Sequence, residues 1–290
     1  MSLQYRHLLA ASAKKQAFQA KLRRVALQAE NMERLEENMA SQTIKHCVGI
    51  AASLVMAAAA TAQDTWSYSG ANGPGSWHTL SNANALCAAG RFQSPINIEG
   101  TEPVVMNRLR PDYRVSAINM AHRRTMVSMD YENGSYLRVG RKVMALNGFV
   151  FRTPAEHTID GETFPMSIQF MHRASNGERA IVVAPVKEGR ENRALSELMP
   201  HLPIEPDQRN RREDVLVNAR DLMPDNKDYF RYEGSLTMPP CSEGVSWYIF
   251  KEPIEASAEQ INLIKGVVGG DNARPLQRRG NRLILDARGQ

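Results

Sequence analysis

From residue 64 onward, apolar residues come in short runs of extended character, broken by glycine, proline, asparagine and aspartate, and this pattern most limits the fold. The runs fall at 136–139, 142–146, 149–151, 167–172, 180–186, 245–250 and 282–285. Pairs such as Asn133-Gly134 and Asp160-Gly161 between them are turn formers. Helical patterning is confined to 191–199, 218–223 and 257–265, the last with Ser257 as its N-cap. No repeat, low-complexity tract or long linker divides 63–290, so the reading is one mainly β domain with a few peripheral helices. With 42% hydrophobic and 23% charged residues the chain has the composition of a globular protein rather than a disordered one.

Residues 1–62 read as a leader. Lys45 and His46 precede a 15-residue uncharged run at 48–62 that ends Ala60-Thr61-Ala62, the build of a signal peptide with its cleavage site. The run is shorter than the roughly 20 residues of a membrane-spanning helix. A signal peptide at 39–62 implies a periplasmic or secreted protein. Residues 1–38 exceed an ordinary positively charged start and read as a mis-assigned upstream extension, with a helix rich in Ala, Leu, Lys and Glu as the alternative.

The formal charge of +5 suggests an anionic partner until it is divided along the chain. Eight of the 36 Lys and Arg but only four of the 31 Asp and Glu fall within 1–62, so the remainder is near neutral. The basic run at 209–212 is followed at once by Glu213 and Asp214 and reads as a solvated loop, which excludes nucleic acid as the expected partner. A membrane is expected only if 1–62 is retained. The Asn133-Gly134-Ser135 triplet matches a glycosylation acceptor and is read as a hairpin turn.

Cys47 lies in the leader, leaving Cys87 and Cys241 beyond it. An even pair in an exported protein reads as a disulfide, the alternative being two separate buried thiols. Such a bridge would close a loop of about 150 residues and stabilise by roughly 4–5 kcal/mol in the chain-entropy account.

Five ordered segments then carry a resemblance. They are 66–77, beginning Trp-Ser-Tyr-Ser-Gly; 93–98, Gln-Ser-Pro-Ile-Asn-Ile; 153–161, Thr-Pro-Ala-Glu-His-Thr-Ile-Asp-Gly; 232–247, containing Gly-Ser-Leu-Thr-Met-Pro-Pro-Cys; and 272–276, Asn-Ala-Arg-Pro-Leu. In order and spacing these resemble the α-class carbonic anhydrases. The resemblance covers 66–285. It implies a central twisted, mostly antiparallel sheet with short helices around it, and a Cys87–Cys241 bridge as in exported bacterial members.

The family's chemistry needs three neutral imidazoles on Zn²⁺ with a fourth position open, so that bound water ionises near neutrality and attacks CO₂. Two imidazoles come from one strand at i and i+2, on the same face, and the third from its neighbour. By resemblance these positions are Val150, Arg152 and Gln169. Valine has no donor atom, arginine no lone pair, and glutamine only a weak amide oxygen. The positions that orient the imidazoles resemble Ser167 and Gly148. Glu156 and Thr237 match the pair that aligns the zinc-bound hydroxide, while His157 and His172 match structural histidines. The proton-shuttle position stays open between His122, by region, and Thr125, by count.

From these residues we expect a non-enzyme, a carbonic-anhydrase-like domain without zinc or any other cofactor, with a binding or structural role. Its partner would be an unidentified protein or a small anion held by Arg152, which stands at the base of the cleft and would also pair with Glu156. One alternative is an active lyase with metal on His157, His172 and Glu156, or with metal-free acid–base chemistry by Glu156. Another is an accessory subunit of an envelope or membrane assembly.

Overall fold

The computed structural model describes residues 66–289, and the leader and signal-peptide expectations for 1–62 lie outside the described residues. Sixteen strands are described: β1 (Asn97–Ile98), β2 (Glu102–Met106), β3 (Leu109–Asp112), β4 (Ser116–His122), β5 (Val127–Asp130), β6 (Tyr136–Val139), β7 (Lys142–Arg152), β8 (Thr158–Ile159), β9 (Glu162–Thr163), β10 (Met166–Arg173), β11 (Arg179–Glu188), β12 (Arg209–Val217), β13 (Tyr229–Ser235), β14 (Glu243–Phe250), β15 (Ile254–Ala256) and β16 (Leu285–Gly289). Helices are short: α1 (Trp77–Leu80), α2 (Leu86–Ala89), α3 (Arg193–Leu198) and α4 (Ala258–Val268). The mainly β expectation holds.

One large sheet runs β12-β4-β5-β7-β10-β11-β14-β13-β16-β2, with β15 beside β11 and β3–β6 continuing from β7. Its pairings are antiparallel except β11 with β14 and β15, and β16 with β2. Strand alternation gives the sheet two different faces. On β11, Ala180, Val182, Ala184 and Val186 enter the large core with Phe149, Phe151, Ile168 and Phe170. Ile181 and Val183 point oppositely, towards Trp247, Tyr232 and Ile96.

The expected runs at 142–146 and 149–151 are one continuous strand, β7. Gly148 makes this continuity possible: its φ is +154°, and a Cβ there would lie 2.2 Å from the Met129 carbonyl oxygen on β5. The pairing with β10 also shifts register between Met171 and His172, opposite this point. The run pattern did not mark β4, β5, β12 or β13. The basic run at 209–212 begins edge strand β12 and is not a loop, although it is solvated. Its arginines pair with nearby acids, Arg209 with Asp130 at 2.8 Å and Arg212 with Asp214 at 2.8 Å, as suits an edge strand protected by charge.

The 282–285 run enters a strand only at Leu285. Segment 218–223 is a 3₁₀ turn (Ala219–Leu222) capped by Asn218. In α4, Ser257 accepts from Gln260 and the Gln260 side chain returns the bond, a full capping box. Asn133 lies in the bend before β6, as the turn reading requires. Among the described residues no helix is long and apolar enough to cross a membrane.

Cys87 and Cys241 are bridged, with Cα atoms 5.0 Å apart and a sequence separation of 154. The bridge packs with Trp77 in its own small core, partly covered by Trp66, Tyr68 and Leu80. It fixes the segment before β1 to the turn between β13 and β14. Replacing both cysteines by serine is expected to lower unfolding stability by about 4–5 kcal/mol, read from denaturant unfolding of the non-reduced proteins.

Candidate functional site

Neighbouring strands β7 and β10 place Gln169 opposite Val150 and Ser167 opposite Arg152. Since Phe149, Phe151, Ile168 and Phe170 fill the large core, alternation turns Val150, Arg152, Ser167 and Gln169 to the other face. The sequence expectation that Val150, Arg152 and Gln169 share a face is met.

Arg152 is 1% exposed, and its charge is answered within the fold. Its Nη1 donates to the Tyr68 hydroxyl at 2.5 Å and to the Asn272 carbonyl at 3.2 Å. Its Nε lies 3.5 Å from Glu156 Oε2 and donates to Gln169 Oε1 at 3.5 Å. Glu156 is gripped from three further directions: by Gln169 Nε2 at 2.7 Å, the Thr237 hydroxyl at 2.6 Å and the Arg274 backbone N–H at 3.1 Å. Burial works to lower the Arg152 pKa, but the charge of Glu156 and the adjacent Tyr68 outweigh it, and the net direction is up. Burial raises the Tyr68 hydroxyl, so it stays protonated beside the guanidinium.

Sequence reasoning assigned no role to Tyr68, Asn272 or Arg274. Asn272 accepts from the Thr153 N–H through its side-chain oxygen at 2.8 Å. The Arg274 guanidinium donates to Gln93 Oε1, the Ser94 carbonyl and the Cys87 carbonyl, all within 2.9 Å. The available signal was their position inside the matched segments 66–77 and 272–276.

The histidines are apart from this cluster. His157 Nε2 meets the Tyr232 hydroxyl at 2.7 Å, with its ring against Trp247. His172 Nε2 meets the Tyr113 hydroxyl at 2.6 Å. Burial lowers both to about 3, the Arg282 charge adding to the effect at His157, so each is neutral at ordinary pH. The expected alternative metal set of His157, His172 and Glu156 is not assembled, because each imidazole is committed to a different tyrosine. Among the described residues no group of three His, Cys, Asp or Glu could hold a metal. His122 is buried with Nε2 on the Val267 carbonyl at 2.7 Å.

Above the cluster a cleft of about 310 Å³ opens, walled by Phe149, Val150, Met171, Ile181, Leu236 and Met238. Arg123 stands at it, paired with Asp130 at 3.1 Å. Arg152, Gln169, Glu156 and Thr237 do not line this cleft. The picture of Arg152 at the cleft base holding an anion is therefore corrected: the guanidinium is sealed beneath an apolar floor by its own partners.

The twisted sheet, the disulfide and the buried carboxylate-threonine pair together define a carbonic-anhydrase-type protein. The sequence profile of the eukaryotic-type carbonic anhydrases matches residues 72–288, and the chain belongs to that family. It is 31% identical over 242 residues to a carbonic anhydrase of Pectobacterium atrosepticum, covering 83% of this chain and 98% of the relative. Dioscorin DB3S of Dioscorea polystachya is 31% identical over 249 residues, 82% of this chain and 92% of the relative. The α-carbonic anhydrase of Thermovibrio ammonificans, solved with the inhibitor sulfanilamide, superposes with a TM-score of 0.74 at 35% identity, covering 76% of this chain and 98% of that one.

These findings overturn two expectations, that the protein is not an enzyme and that it has no zinc cofactor. Both rested on three side chains, whereas carbonic anhydrases related along most of both chains point to a lyase of a zinc-using family. The three side chains nevertheless do not fit the ion. Val150 offers no donor, Arg152 is a buried cation, and the Gln169 amide is engaged with Glu156 and Arg152.

Replacing Arg152 by methionine leaves the Glu156 carboxylate buried without its cation and is expected to cost about 3–5 kcal/mol. The Arg152→Met, Glu156→Gln double variant should regain much of that, as thermal and urea unfolding would register. A second expectation concerns pH. With His157 and His172 near 3 when folded and about 6.5 when unfolded, the unfolded chain takes up protons between those values that the folded chain refuses. Stability is then full above pH 6.5 and declines below it, each histidine contributing up to about 1.4 kcal/mol per pH unit. His172→Phe should flatten the slope of unfolding free energy between pH 6.5 and 5.

Proposed function

We propose that the protein is an exported lyase of the carbonic anhydrase class, with carbon dioxide and bicarbonate as its substrate pair. The observation that carries this reading is the apolar cleft walled by Val150, Ile181, Leu236 and Met238, beside which the buried Thr237 hydroxyl donates to Glu156 at 2.6 Å. With its single proton committed to the carboxylate, Thr237 can only accept from a further partner. The wall of Val150, Ile181 and Leu236 suits apolar carbon dioxide. The bacterial relatives named carbonic anhydrase support the same class, and the uncharged run ending at Ala62 supports export.

The test is stopped-flow CO₂ hydration by the full chain, with metal content measured on the same sample. Hydration above the uncatalysed rate is expected, and Thr237→Val, which takes a hydrogen-bond donor from Glu156, should lower kcat/KM by about tenfold with the fold intact. No hydration by the unmodified chain, with activity arising only in the Val150→His, Arg152→His, Gln169→His variant, would overturn the proposal.

A further inference from the structure

Away from the cleft, β3 and β6 pair antiparallel with Arg110 directly opposite Arg138. Alternation explains why both point outward: their neighbours Leu109 and Leu137 are buried in the core while the two arginines are exposed. Like charges placed directly across a pair of strands repel and destabilise it. A third arginine, Arg108, joins them in a concavity of about 550 Å³ whose lining contains no acidic residue. The rim turns at Gly140, with φ +59°, where a Cβ would come within 2.9 Å of the Asn107 amide nitrogen. The turn thus packs directly against Asn107, and glycine keeps the hollow open beside the arginines.

Local charges leave this cluster under-compensated. Asp112 approaches Arg138 at 3.6 Å, but both side chains are about half or more exposed, so the contact is weak. Among the described residues neither Arg108 nor Arg110 has an acidic partner. On the β4–β5–β12 edge, by contrast, Arg123 and Arg209 are matched by Asp130, Arg211 by Glu213 and Arg212 by Asp214. A repulsive register in a concave site lined by three arginines and no acid calls for an anion from outside. Guanidinium forks match the paired oxygens of phosphate, and a ligand with more than one negative charge is needed to balance three cations.

We propose that the concavity formed by Arg108, Arg110 and Arg138 binds a multiply charged phosphate group, carried by a free small molecule or by a lipid headgroup. The site shares no lining residue with the cleft, so it is independent of the proposed lyase activity.

Inorganic pyrophosphate titrated calorimetrically into the full chain at low ionic strength tests the proposal. Saturable binding to one site is expected, weakened by added salt. The Arg110→Gln, Arg138→Gln variant should lose about tenfold or more in affinity, while its Tm in phosphate-free buffer stays level or rises because the opposed charges are gone. Arg108→Gln is the second variant and should weaken binding by itself, whereas Arg211→Gln, outside the concavity, should not. Co-sedimentation with phosphatidic acid vesicles separates the sources: binding that pyrophosphate displaces identifies a headgroup, and pyrophosphate binding without vesicle binding identifies a free phosphate. Absence of pyrophosphate binding, or equal affinity in the unmodified chain and the double variant, would overturn the proposal.

Discussion

A guanidinium buried to 1% exposure cannot stand alone in a protein interior, and much of the site is arranged around that of Arg152. Its neutralising partner, Glu156, lies four residues further on and is just as buried. Removing two charges from water is costly, and their mutual attraction offsets that cost only when the remaining hydrogen-bonding positions are also filled. Here they are filled by Tyr68, Asn272, Gln169, Thr237 and the Arg274 backbone. These come from four separate stretches of chain, so satisfying one ion pair holds distant segments in place.

The chain of contacts continues outward. Arg274 joins Glu156 to Gln93, Ser94 and the carbonyl of Cys87, and Cys87 is bridged to Cys241. Gln93 in turn donates to the Cys241 carbonyl at 3.0 Å. The disulfide core, the segment before β1 and the floor of the cleft are therefore one mechanically connected unit. Tyr232 is shared between His157 and Ser94, which ties the structural histidine to the same region. The retained polar residues of the matched segments are kept by mutual satisfaction as much as by chemistry at the cleft.

The mainly β class was legible because the 167–172, 180–186 and 245–250 runs are strongly apolar and lie in the centre of the sheet. β4 and β12 escaped because their residues do not form a clean two-residue pattern: β4 is covered almost throughout, and β12 is an exposed edge rich in charge. β7 was split in two by Asn147-Gly148, a pair that usually signals a turn. In the fold that glycine lets β5 approach too closely for any side chain. The non-enzyme, zinc-free reading came from giving three side chains more weight than kinship along the whole domain.

By itself the sequence determined the class and the capping of α4, which depend on composition and on strand or helix period, while its resemblance to the carbonic anhydrases implied the Cys87–Cys241 bridge and the shared face of Val150, Arg152 and Gln169. Beyond its pairing with Glu156, the tertiary structure alone decided what surrounds the Arg152 charge. Its partners are up to 120 residues away along the chain, and no local pattern encodes which of them converge. The outward opposition of Arg110 and Arg138 is likewise a matter of pairing register, set by how β3 and β6 bury Leu109 and Leu137.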